Sequence, residues 1–352
     1  MPTAVRQLAA VTLVAAIGAA GLVVTENGRT GEARPAAVVV SPPAPVRHSD
    51  ARPLPAVAAR AKPRPKPAAA PVHHAAPAAR KAAPAKPVKW MPTGVGMWIY
   101  EWKKSGRGNA RAVISRARSH GLSHLFVRTG STHDGYAGTG VLHALLPATA
   151  GTGIKVIAWD FPELKHPARD ARRLARAAWD GRHGNAPHVA AVAPDIETHA
   201  EGTRSTSRRV KVYLHTLRHY LPSDVAILTT VPWPSTARVG RYPYGSVAAS
   251  SDAILPMAYW YDNSPREVTA RSIAFLRNYH RPVMPVGQGY DGKLDVPWLR
   301  HNNLRRQVPA FFVTARRMGA PAVSLWSWQA APPVAWKALS RARSWFPPHN
   351  KH

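Results

Sequence analysis

Residues 189–197 read VAAVAPDIE. Val189 to Asp195 is a short run of small and β-branched apolar residues, the pattern of a strand buried on both faces rather than of a helix. If the strand persists through it, Asp195 and Glu197 face the same way, roughly 6 to 7 Å apart along the chain, and Ile196 faces the opposite side. Two carboxyl groups at that spacing in a partly dry setting cannot both ionise freely, so one acquires a raised pKa and suits a general acid.

Seven further runs of the same kind flank this one: Val95 to Glu101, His124 to Thr129, Lys155 to Asp160, Val225 to Val231, Ala253 to Tyr259, Pro282 to Gln288 and Ala322 to Trp328. Their starts lie 28 to 40 residues apart, the period of a strand, a loop and a crossover helix. Between them Ala110 to His120, Pro167 to Asp180, Ser207 to Leu221, Pro265 to His280 and Leu299 to Met318 carry apolar residues three and four apart, with arginines on the other face. Ser264 before Pro265 reads as a helix N-cap with proline at the first helical position. Strands alternating with helices imply a parallel sheet, and eight units imply closure, so the expected fold class is an α/β, (β/α)8 TIM barrel. The rival, an open doubly wound sheet, lacks any G-x-G-x-x-G or G-x-x-x-x-G-K-[ST] fingerprint.

In such a barrel the chemistry sits where strands end, and these ends are rich in acids and aromatics. Substrate-binding candidates are Tyr100 and Glu101 after strand one, Arg128 after strand two, Trp159 and Asp160 after strand three, and Trp233 after strand five. Trp260 and Asp262 follow strand six, Gln288 closes strand seven, and Trp326 and Trp328 close strand eight. After Lys89 the chain has 35 basic and only 15 acidic residues, so acids gathered at strand ends are more pointed than acids scattered on helices. Tryptophan and tyrosine present flat apolar faces with a polar handle, which suits stacking on sugar rings. Glycosidic cleavage needs a proton for the leaving oxygen and a second group that supports positive charge at the sugar carbon, and Glu197 and Asp195 supply that pair.

Asp195-Ile196-Glu197 on strand four, Met257-Ala258-Tyr259 on strand six and Trp326 or Trp328 on strand eight resemble the pattern of family-18 chitinases, while family-25 lysozymes also carry an Asp-x-Glu on strand four. The resemblance implies a glycoside-hydrolase-like barrel of unassigned family. It implies that Glu197 protonates the glycosidic oxygen, that Asp195 orients an N-acetyl group to attack its own anomeric carbon, and that Tyr259 helps hold that acetamide. Two further aspartates of the chitinase-like pattern are replaced by Ala190 and Ala193, and the first strand offers Tyr100 and Glu101 where the lysozyme-like pattern has aspartate.

Before Trp90 the character changes. Leu8 to Val24 is 17 residues without a charge, preceded by Arg6, and residues 1–30 read as a signal peptide or an N-terminal membrane anchor. Residues 31–89 repeat proline with alanine, lysine and arginine, a composition that buries too little apolar surface to order itself, and read as a disordered linker biased to extended polyproline II. Residues 90–352 are left for the barrel. The expected protein is secreted or held on the outer face of the cell membrane, in contact with the wall.

The formal charge of +30 points to an anionic partner, for an exported protein an anionic wall polymer. Nucleic acid rests on charge alone and is not expected. With no cysteine, disulfides and thiolate metal sites are excluded. There is no H-E-x-x-H or G-x-S-x-G, so His133, His188 and His199 read as ordinary histidines and no metal or cofactor is expected. The expected function is cleavage of an N-acetylhexosamine-containing wall polysaccharide by a monomer; the alternative is a non-catalytic barrel that binds wall glycan or another anionic polymer.

Overall fold

A computed structural model describes residues 89–182, 186–300 and 302–347. The expected targeting segment and all but the last residue of the linker lie outside these residues. Among the described residues, no helix is long and apolar enough to cross a membrane.

Eight parallel strands form the barrel: β1 Gly94–Ile99, β2 His124–Ser131, β3 Lys155–Phe161, β4 Val189–Pro194, β5 Ala226–Pro232, β6 Ala253–Ala258, β7 Val286–Gln288 and β8 Ala322–Trp326. Each pairs with the next in sequence, and β8 pairs back to β1 through Val95 with Val323 and Met97 with Leu325, which closes the ring. A two-residue strand, Gly135–Tyr136, adds antiparallel to the end of β2. Eight helices make the outer layer: α1 Ala110–Ser119, α2 Gly138–Ala148, α3 Pro167–Trp179, α4 Ser207–Tyr220, α5 Tyr244–Ser250, α6 Pro265–Arg277, α7 Leu304–Arg317 and α8 Pro333–Ala342. The (β/α)8 barrel is therefore the fold.

Local chemistry starts and stops these helices. Asn109, Thr206 and Ser264 each accept a backbone N–H of the first turn, at Ala112, Arg209 and Glu267. At the end of α1, Gly121 takes φ +69°, its N–H donates to the Arg118 carbonyl, and the Leu122 N–H reaches back to Ala117. A side chain at Gly121 would be strained in φ, and its Cβ would lie 2.5 Å from Arg343 Cδ.

Along β4 the facing alternates from Ala191 onward, after a register shift at the strand's start. On β4, Val192 and Ile196 join the apolar layer between sheet and helices, while Ala191 and Ala193 face the barrel axis. The axis is filled unequally. Trp98, Phe126 and Trp159 from β1, β2 and β3 project across it toward Ala191, Ala193, Ala226 and Ala253 of β4 to β6. Trp98 stacks on Phe126 with ring centres 4.0 Å apart, and its indole N–H donates to Ser324.

β7 is shorter than its sequence run. Pro282 and Pro285 have no N–H to give, so before Val286 the run makes only an isolated bridge, Val283 to Ile254 of β6. The described chain enters at the barrel's amino end, where Lys89 pairs with Asp252 at 2.8 Å, just before β6. The carboxyl ends of the strands open at the opposite face.

Candidate active site

The carboxyl ends of the strands enclose a cleft of about 2520 Å³. Tyr100, Trp159 and Trp326 form one wall of its floor, with ring centres 5.4 to 6.1 Å apart. Arg128 lies over Tyr100 at 4.7 Å and is held by Asp134 at 2.6 Å. Glu101, Trp233 and Asp262 also line the cleft, as do Tyr259 and Trp298.

Asp195 and Glu197 enter this space from the end of β4. Asp195 continues the ladder for one residue: its N–H donates to the Asp160 carbonyl at 2.9 Å and it bridges to Thr230 of β5. Ile196 turns outward into the apolar layer, and its carbonyl accepts the Tyr242 hydroxyl at 2.7 Å, which pins the backbone between the two acids. Asp195 is buried, and its Oδ1 has no hydrogen-bond partner. Burial, together with the nearby charges of Glu201 and Asp160, pushes its carboxyl up to about 7.

Glu197 lines the cleft beside it. Burial raises its carboxyl well above the ordinary value, and the charges of Glu201 and Asp195 and a hydrogen bond with Glu201 push the same way. Only Arg238 opposes them, with its guanidinium 3.7 Å from Glu201. Burial and the neighbouring acids thus favour the protonated carboxyl of Glu197, the form a general acid needs. Tyr259, at the end of β6, is close enough to Asp195 and Glu197 for their charges to help keep its hydroxyl protonated, after the larger effect of burial.

Four sequence-derived candidates are placed away from the cleft, and each placement corrects the expectation for a physical reason. Asp160 follows Trp159 on β3: Trp159 faces the axis, so Asp160 faces the helices, where Arg173 of α3 grips it at 2.7 Å. Trp260 is fully buried in the outer layer against Phe311 of α7, one residue past the inward Tyr259. Trp328 lies beyond the end of β8 and packs on Trp336 of α8 with ring centres 4.8 Å apart. Gln288 is buried and turned to the backbone, where its Oε1 accepts the Tyr261 N–H at 3.0 Å.

The sequence reading also passed over members of the site. Glu201, whose Oε2 accepts the Thr198 N–H at 2.9 Å, stands four residues beyond Glu197. Tyr290 and Tyr261 both donate to Asp295 beneath the rim loop that carries Trp298. A third acid in one short loop was the signal for Glu201; Tyr261 and Tyr290 stand among the polar and aromatic residues that close strands six and seven, and only their meeting at Asp295 has no sign in the sequence. Among the described residues no group of three or more His, Asp or Glu has the arrangement of a metal site.

The fold is a closed parallel (β/α)8 barrel whose fourth strand delivers paired acids into an aromatic-lined mouth. Solved structures of this architecture include an endo-1,4-β-mannanase from Rhizomucor miehei, with TM-score 0.54 and 10% identity over 74% of this chain and 97% of that one. A chitinase from Chromobacterium violaceum gives 0.51 and 12% over 71% and 99%, and a GH99 endo-α-mannosidase from Bacteroides thetaiotaomicron gives 0.52 and 11% over 72% and 95%. No protein-family model matches the chain. No curated protein matches it.

Proposed function

We propose that the protein is an exported glycoside hydrolase acting on an N-acetylhexosamine-containing wall polymer of the peptidoglycan type. The observation that carries this is the group of Asp195, Glu197 and Glu201: three acids in an aromatic-lined cleft, where the ion pair of Arg238 with Glu201 is the only one they make among the described residues. In this reading Glu197 gives its proton to the glycosidic oxygen as the bond to the anomeric carbon breaks. Asp195 orients the substrate's acetamide so that its oxygen supports the positive carbon, and the Tyr259 hydroxyl holds that acetamide. Tyr100, Trp159, Trp233 and Trp326 stack on sugar rings. The apolar segment and linker carry the barrel to the outer face of the membrane, and its basic surface keeps it on an anionic wall.

Release of reducing ends from purified walls tests the reading. Glu197→Gln should lower turnover at least about a hundredfold, the usual worth of a positioned acid. Unchanged turnover in that variant would remove Glu197 from the mechanism.

One observation favours a second reading, a barrel that binds the polymer without cutting it. Ala190 and Ala193 stand where the chitinase-like pattern has aspartates, and Asp195 Oδ1 is left without a partner. Saturable binding to walls with no product from the wild type would select that reading.

A further inference from the structure

The outer helical layer has a second concavity, of about 450 Å³, between α1 and α8. Arg116, Lys337, Arg341 and Arg343 line it, and no acid does. Among the described residues none of these four forms an ion pair, whereas Arg128, Arg173, Arg182 and Arg218 all hold aspartates. The chain spends its scarce acids elsewhere and leaves this hollow uncompensated. Lys337 and Arg341 stand four apart on one face of α8, a spacing at which like charges repel.

The floor is built rather than incidental. The Arg116 guanidinium lies 4.1 Å from the ring centre of Trp336, and this stacking holds it in place. Trp336 is 2% exposed, lines the hollow, and its indole N–H has no hydrogen-bond partner. A buried donor left without an acceptor is costly unless something supplies one. Beside it, His120 Nδ1 and Ser340 Oγ are hydrogen-bonded at 2.6 Å and tie the end of α1 to α8.

We propose that this hollow binds phosphate groups of an anionic polyol-phosphate polymer, as a site separate from the cleft and independent of whether Glu197 is a catalytic acid. Three arginines, a lysine and an unpaired indole N–H together suit an oxyanion with several acceptor oxygens. Four cations answer more than one negative charge, so a chain with a phosphate in every repeat fits better than one isolated anion. The volume falls within the range of small-ligand sites and leaves room for the polyol between phosphates.

The test uses the full chain and poly(glycerol phosphate), with Lys337→Gln/Arg341→Gln compared with Arg305→Gln/Arg306→Gln, two exposed arginines of α7 that are also without ion pairs. Both variants lose the same charge, so a diffuse basic surface predicts equal effects. The proposal expects the α8 variant to lose at least about tenfold in affinity, and the α7 variant less than about twofold. Polyglutamate of matched length should bind weakly and respond alike to both variants, and inorganic phosphate should compete with the polymer only at high concentration. Equal losses from the two variants, or a polyglutamate loss as large as the polyol-phosphate one, would overturn it. Lys337 and Arg341 are exposed, and an unchanged unfolding temperature for that variant excludes loss of fold as the cause.

Discussion

Two groups of buried acids lie side by side at the ends of β3 and β4, and they are built on opposite principles. Asp160 and Asp170 share Arg173, which reaches both at 2.7 Å and is itself only 10% exposed. Thr132 donates to Asp170 at 2.8 Å, and the Leu164 N–H donates to it as well. Among the described residues, the only ion pair that Asp195, Glu197 or Glu201 makes is that of Glu201 with Arg238, at 3.7 Å. The first group is a fastener between the sheet and α3. The second lacks such a clamp, and burial together with neighbouring acids raises the carboxyls of Asp195 and Glu197. Burial alone therefore does not mark a reactive acid; the missing countercharge does.

The sharpest way to break the comparison is to remove the countercharge from the first group. Arg173→Leu leaves two buried carboxyls unpaired and should cost about 3–5 kcal/mol of stability, read by denaturant unfolding. A loss below about 1 kcal/mol would mean the fastener is not one. The second group should respond in the reverse sense. Asp195, ordinarily near 3.8, is pushed up to about 7 in the folded protein, so between those values the folded state holds more protons than the unfolded chain. Stability should fall as pH rises from about 4 to about 7, and the raised Glu197 extends the decline further. Asp195→Asn should flatten that decline and be the more stable protein at pH 8, by roughly 1–3 kcal/mol. A wild-type melting profile that rises across this range would contradict the assignment.

Smaller effects separate the two sides of the barrel wall at the aromatics. Trp233→Ala should raise KM for a wall oligosaccharide about two- to tenfold with kcat little changed, the worth of about one stacking contact. Trp260→Phe, on the outer side, should leave both constants unchanged and alter stability by no more than about 1 kcal/mol, since the indole N–H it removes has no partner.

Period and alternation made most of the barrel legible in the sequence. All eight strand runs are strands, and Asp195 and Glu197 face the mouth because the β4 alternation carries through Ile196. Five helices announced themselves by an arginine stripe. The other three do not have one: α2 contains Gly138, Gly140 and Pro147, α5 is seven residues without a charge, about two turns, and α8 carries its tryptophan and alanines inward with few charges. The site was less legible because nearness to a strand end says nothing about facing. Alternation alone separates Trp159 from Asp160 and Tyr259 from Trp260. Trp328 and Gln288 are different: past the strand the loop decides the direction of Trp328, while Gln288, the last residue of β7, turns its amide to the Tyr261 backbone, and no spacing rule reaches either.

The unequal filling of the barrel axis has a consequence for how the sequence can drift. Trp98, Phe126 and Trp159 occupy room that exists only because Ala191, Ala193, Ala226 and Ala253 decline it. These seven positions share one volume, so none is free to change alone. Among natural variants of this chain, a smaller residue at 98 should travel with a larger one at 191, 226 or 253. The two halves of the wall are thus tied in inheritance as they are in space, and the Ala193 that parts this chain from the chitinase-like pattern belongs to that exchange.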